Sequence, residues 1–171
     1  MRQQVETGLY AGLLFAVLGF VAWVSGEPFI FPSLGPSAFV LAFERQRDRR
    51  EAYRIVGSHL IGGVAGLVAF HLLGNGAAIT IQPPARSVQE FHLVASATVS
   101  IVLTSWVMIA TDMIHAPACA TTLIVSLGLL STPIQVGIIV VSIVLLVASH
   151  TAVLVLLKRV VGISHPVYPG G

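Results

Sequence analysis

The stretch Asp112–Thr122, DMIHAPACATT, lies between two aliphatic runs, SIVLTSWVMIA at 100–110 and LIVSLGLL at 123–130. It gathers an acid, an imidazole, a proline, a thiol and two hydroxyls, groups that are costly to bury without partners. If it is a loop between soluble elements it means little. If it interrupts a membrane segment, it decides the fold.

Composition settles the solvent. Of the 171 residues, 56% are hydrophobic and 9% are charged, with a mean hydropathy of +0.92. A soluble domain carries about 25% charged residues. This chain cannot clothe a surface facing water, so its expected partner is the lipid bilayer. No basic stretch with interleaved aromatics points to nucleic acid. The single cysteine, Cys119, excludes an intrachain disulfide.

Working outward from the break, six apolar segments are expected. Four are long: about 8–24, 55–73, 93–111 and 134–157. The second (about 29–43) and fifth (about 114–130) are short and begin with Pro, Gly and small polar residues. An unbroken helix needs about 17–25 residues to cross. The first part of the second segment is therefore expected to cross as extended or bent backbone, covered by protein or lining a cavity. The first segment is expected to be retained rather than cleaved as a signal. Its apolar run exceeds a typical h-region, and its basic n-region is only Arg2.

Basic residues give the orientation. Arg45, Arg47, Arg49, Arg50 and Arg54 crowd the loop after the second segment, Lys158 and Arg159 follow the sixth, and Arg2 precedes the first. With six crossings these lie on one side and Arg86 alone on the other. The expectation is a multi-pass protein of the plasma membrane with both termini cytoplasmic. Glu44 and the Arg-rich loop read as a topology signal in contact with lipid headgroups.

The order long, broken, long occurs twice. FPSLGPSAFVLAF (31–43) and IHAPACATTLIVSLG (114–128) align at Pro36 and Pro117, each followed by small residues and an aliphatic run. Three crossings per half would invert the second half, and interrupted helices at matching positions of inverted repeats point to a site near the midplane. The expected fold is thus all-α: a polytopic membrane bundle of two inverted three-helix repeats. It forms one transmembrane domain over 1–171, with repeat one at about 1–74 and repeat two at about 91–160.

Pro36 and Pro117 would start the short helices, capped by Gly35 and Ala116. The N–H groups of Ser37, Ala38, Ala118 and Cys119 would then point out of each helix start, where about half a positive charge favours an anion. Ser33, Ser37, Thr121 and Thr122 would add hydroxyl donors, and Gly35 would let a ligand approach the backbone. Caps and close helix packing are the better account of either break taken alone; two matched breaks favour a site. His59, His115 and His150 fall in the inner third of the membrane, where ionisable groups mark function. His115 is the favoured one, as a switchable positive charge, with His59, His150 and Asp112 as a polar or proton relay. Asp112 would pair with His115 or, preferably, cap the fifth segment. Span-end packing suffices for His71 and His92, and Cys119 reads as a small packing residue with no base beside it. No spacing supports a metal site, and no cofactor is expected. Ser58, Gly62 and Gly66, and Ser96, Ser100 and Thr104, form ridges of small residues for close helix contact; such ridges also suit a homo-oligomer.

SLGPSA (33–38), GSHLIGG (57–63) and the His-x-Pro-Ala start at 115–118 together resemble the HPP family of integral membrane proteins. The resemblance covers about 31–130. It implies transport of nitrite or a similar small inorganic anion, with His115 and Pro117 at the outer positions of the His-Pro-Pro motif and Ala116 in place of its middle proline. The expected function is transport or channelling of a small monovalent anion. The rivals are a channel for another small solute and a non-transporting scaffold or sensor subunit. An enzyme is disfavoured, because no nucleophile–base pair and no phosphate loop is present.

Overall fold

Helices form over the long apolar runs, and proline within them is confined to the first turn. A computed structural model describes residues 2–27, 29–43, 49–81, 83–160, 162, 165 and 167. Among the described residues the elements are helices only: α1 (Arg2–Ser25), α2 (Leu34–Phe43), α3 (Arg49–Ala69) with a π-helical turn at Phe70–Gly74, α4 (Val88–Ala110), α5 (Ala118–Ser126) and α6 (Pro133–Val160). Residues Glu44, Arg45 and Arg47 of the basic loop lie outside the described residues.

Four helices are long and apolar enough to cross a membrane: Gln3–Ser25, Arg50–Gly74, Val88–Ala110 and Pro133–Val160. The other two are short, with 10 residues in α2 and 9 in α5. At a 1.5 Å rise, helices of that length reach only about 15 Å, half of a hydrocarbon core of about 30 Å. The long, short, long order expected from sequence is present twice along the chain.

The distribution of side chains is inverted relative to a soluble protein. Leu9, Leu13, Phe20, Trp23, Leu72, Trp106, Ile109 and Leu156 are more than half exposed, whereas Ser37, Ser58, His59, Ser96, Ser100, Thr104, Thr121 and Thr122 are fully buried. Apolar side chains facing outward cost nothing in lipid. These hydroxyls and the His59 imidazole are turned inward, where they find partners.

The chain divides into two compact units, Met1–Ala52 with Val141–Gly171, and Tyr53–Val140. In the first, α1 buries a stripe of Thr7, Tyr10, Leu14 and Leu18, and α2 packs on α1. Ile30, ahead of α2, sits over Gly19. In the second, α3 and α5 approach closely because glycine occupies the seam. A Cβ on Gly62 would lie 2.7 Å from the Thr122 hydroxyl and 2.8 Å from the Ala118 carbonyl; on Gly66 it would lie 2.7 Å from Val125 Cβ. α4 buries Leu93, Ser96, Ser100, Thr104 and Met108 and packs on α5. Its start is capped by Ser87, whose hydroxyl accepts from Glu90 N–H at 3.1 Å, while the Glu90 carboxylate accepts from Arg86 N–H.

Candidate functional site

In the unit Tyr53–Val140, the seam set by Gly62 and Gly66 brings one face of α3 against the start of α5. His59, one turn before Gly62, is fully buried, and its Nδ1 is 2.7 Å from Thr121 Oγ1. His115, in the turn preceding α5, is 7% exposed, with its ring centroid 5.6 Å from that of His59 and the planes at 50°. Two imidazoles and a hydroxyl, from two distant parts of the sequence, therefore meet away from water. A hydroxyl both donates and accepts, and each imidazole can take a second proton. The cluster can pass a proton or donate to an anion.

Hydroxyls continue from this point. Thr122 Oγ1 is 2.9 Å from Thr104 Oγ1 and 3.3 Å from the Ala118 carbonyl, to which it can donate. Farther along α5, Ser96 donates to the Ser126 carbonyl at 2.8 Å. Ser96 and Thr104 of the α4 ridge thus meet α5 with polar contacts, while Ser100 donates to the Ala97 carbonyl of its own helix at 2.8 Å. Thr104 was legible only as a packing residue; what marks it as more is its partner.

The start of α5 differs from the expected open cap. Pro117 takes the cap position and the helix begins at Ala118. Ala118 N–H donates to the His115 carbonyl at 3.0 Å and Cys119 N–H to the Ala116 carbonyl at 3.0 Å. These two donors, expected to point outward, close a 3₁₀-type turn that satisfies the helix end internally. Cys119 is a half-buried free thiol. At α2 the helix begins at Leu34, so Pro36 is its third residue rather than its first. Proline is tolerated there because first-turn N–H groups have no intrahelical acceptor.

Asp112 neither pairs with His115 nor caps α5. Its carboxylate lies 2.6 Å from Arg54 Nη2, and Arg54 Nε donates to its carbonyl at 3.0 Å. The reason is local: Asp112 adopts a left-handed backbone, φ 55°, after α4 ends. The turn directs it to α3, and Arg54 becomes a clasp between α3 and the α4–α5 turn. Both side chains are well exposed, 41% and 74%, so the pair contributes at most about 1 kcal/mol.

The unit containing α1 and α2 holds the remaining candidates. His150 Nδ1 is 2.9 Å from the Tyr10 hydroxyl. The Tyr10 and His165 rings meet edge-on at 5.6 Å, with His150 and His165 6.1 Å apart. His150 therefore belongs to an aromatic cluster of this unit, on α1, α6 and the segment after α6. Tyr10 and His165 were missed; the only signal was a phenol inside an apolar run, which needs a partner when buried. Ser33 is fully buried, and its hydroxyl has no hydrogen-bond partner among the described residues. Ser37 donates to the Ser33 carbonyl at 3.2 Å, and the space beside Gly35 is open. Among the described residues no three His, Cys, Asp or Glu side chains gather as metal ligands.

A family model described as HPP, transmembrane region, matches residues 1–169. The chain belongs to the HPP transmembrane family. This HPP protein is a multi-pass membrane protein, with several helices apolar and long enough to span. No curated protein and no solved structure matches it. In this HPP chain Ala116, in place of the middle proline that the resemblance implies, is exposed in the turn before α5 and accepts from Cys119 N–H. The helix start forms with one proline.

His71 and His92 sit elsewhere. His71 is exposed, with its ring edge-on to Phe70, and His92 Nδ1 bonds the Leu73 carbonyl at 2.8 Å.

Proposed function

We propose that this HPP protein moves a small monovalent anion, nitrite or one of similar size, across the plasma membrane. The observation that carries this reading is the buried meeting of His59, Thr121 and His115 at the start of α5, within a transmembrane family chain. Membrane segments exclude such groups unless they pair or serve a solute. Thr121 and Thr122 supply hydroxyl donors, His115 a chargeable one, and the positive end of the α5 dipole adds its partial charge. Ser33 and Ser37, at the start of α2 in the other unit, supply further hydroxyls. The buried Ser33 hydroxyl there is suited to a solute or water.

The repeated order of helices and the placement of basic residues support six crossings, inverted repeats and cytoplasmic termini. A homo-oligomer remains part of the proposal. The scaffold alternative is weakened by Gly62 and Gly66, whose seam is filled by α5 within the same unit and is not a free surface.

The test is nitrite uptake by proteoliposomes holding the purified protein, compared with His115→Ala. Wild-type flux should exceed that of protein-free vesicles, and the variant should lose most of it. Competition by formate, nitrate and chloride ranks the solutes. Equal flux in wild type and variant would remove His115 from the site; no flux in wild type would remove the transport reading.

A further inference from the structure

The charge inventory of the unit Tyr53–Val140 constrains what can cross it. Its only charged residues are Arg54, Arg86, Glu90 and Asp112. Arg54 and Asp112 pair with each other near the surface, Arg86 is exposed, and Glu90 caps α4 through Arg86 N–H. No fixed positive charge stands in the interior. An anion taken from water into such surroundings loses a hydration energy that in practice is offset by a countercharge or by neutralisation.

Within this unit, the elements packed around the site offer few other groups that titrate. Thr121 and Thr122 on α5 and Thr104 on α4 are neutral hydroxyls. Cys119 on α5 is half-buried, Tyr53 on α3 is exposed, and His71 and His92 lie at the opposite ends of α3 and α4 from His59 and Thr104. The buried ionisable groups of the unit are therefore His59 and His115. With ring centroids 5.6 Å apart, their positive charges would repel, so the pair holds one added proton more readily than two.

Building on the anion-transport reading, we propose that the protein carries its anion together with one proton supplied by the His59–His115 pair, and so selects anions of weak acids. In the transfer, an imidazolium N–H bond breaks and its electron pair stays on the ring nitrogen. The proton forms an O–H bond with the anion, leaving neutral imidazole beside neutral acid. On release the acid returns the proton to water, and the imidazole regains one from the entry side. Thr121, bonded to His59 Nδ1, accepts and donates along the same line. Nitrite and formate can accept the proton. Nitrate and chloride, conjugate bases of strong acids, cannot, and would remain as ions in a site with no fixed cation.

The experiment uses the full chain in vesicles, with potential clamped at zero by potassium and valinomycin, an interior pH dye and labelled nitrite. At one proton per anion, an inside-alkaline gradient of about one pH unit should accumulate nitrite about tenfold. The interior should acidify in step. An imposed potential should leave the rate unchanged, and nitrate and chloride should not be taken up. His59→Gln should abolish the proton-coupled accumulation, and Thr121→Ser should retain it. Because a buried histidine variant can fail to fold, the wild-type rate in excess of that in protein-free vesicles, through which nitrous acid also permeates, decides as well. Nitrite uptake driven by potential and indifferent to the pH gradient overturns the proton coupling while leaving anion transport standing. Equal uptake of nitrate and nitrite overturns the weak-acid selectivity. No uptake of any anion by folded protein overturns both the coupling and the transport reading.

Discussion

His59 reaches Thr121 across 62 positions of chain, and that single bond ties α3 to α5 at the site. Thr121→Val keeps the shape of the side chain but leaves a buried imidazole nitrogen unsatisfied, at a cost of about 1–3 kcal/mol. Thermal unfolding in detergent should show a lowered midpoint for Thr121→Val and a near-normal one for Thr121→Ser; equal midpoints would mean the bond contributes nothing. A second residue-scale test concerns His165, whose Nδ1 accepts from Val167 N–H at 3.1 Å. Burial holds this histidine below its ordinary range, against a smaller opposing effect of the Leu41 carbonyl. Its neutral form is the folded one, so its stabilisation is present above the ordinary histidine range. That stabilisation is lost as pH falls through the lowered value. Protection of the Val167 amide from hydrogen exchange should drop on acidification, and protection independent of pH would contradict this. At this scale, the residue types were readable because polar groups stand out in an aliphatic chain. Their pairings were not. His59–His115 depends on how α3 meets α5, and Arg54–Asp112 depends on a left-handed residue that no spacing reveals.

Among the elements, α3 and α5 pack closely, and glycine makes it possible. Gly62→Ala would place a methyl 2.8 Å from the Ala118 backbone carbonyl, which cannot swing aside. The expected loss is about 1–3 kcal/mol of stability, with weakened flux because the site lies one turn away. Gly137→Ala in α6 meets nothing within 4 Å and should leave the midpoint unchanged or raise it, since alanine is the better helix former. If the two substitutions behave alike, the seam is not where stability resides. Helix existence and length classes followed from apolar runs, and the two short helices followed from proline and small residues. The starts were less legible. α2 begins ahead of Pro36, and α5 closes its own first donors in a tight turn. Proline marks the first turn of a helix but does not say which of its positions it takes.

For the molecule as a whole, the outward apolar side chains and inward hydroxyls assign the solvent. Val144, in the middle of α6, is about half exposed. Val144→Lys should impair insertion, since a central lysine costs about 2.5–3.5 kcal/mol on insertion scales. Reduced membrane-inserted yield is the readout, and normal yield would argue that this face does not meet lipid. Composition alone made the membrane assignment, and membership of the HPP transmembrane family agrees with it. Transport is the central claim above these levels. The measurement that tests it most directly is stopped-flow light scattering of vesicles containing the purified chain, mixed with isotonic potassium nitrite in the presence of valinomycin and a protonophore, so that nitrite entry causes swelling with or without a coupled proton. Swelling faster than in protein-free vesicles, and slowed in His115→Ala, is the predicted result; identical swelling with and without the protein would contradict it.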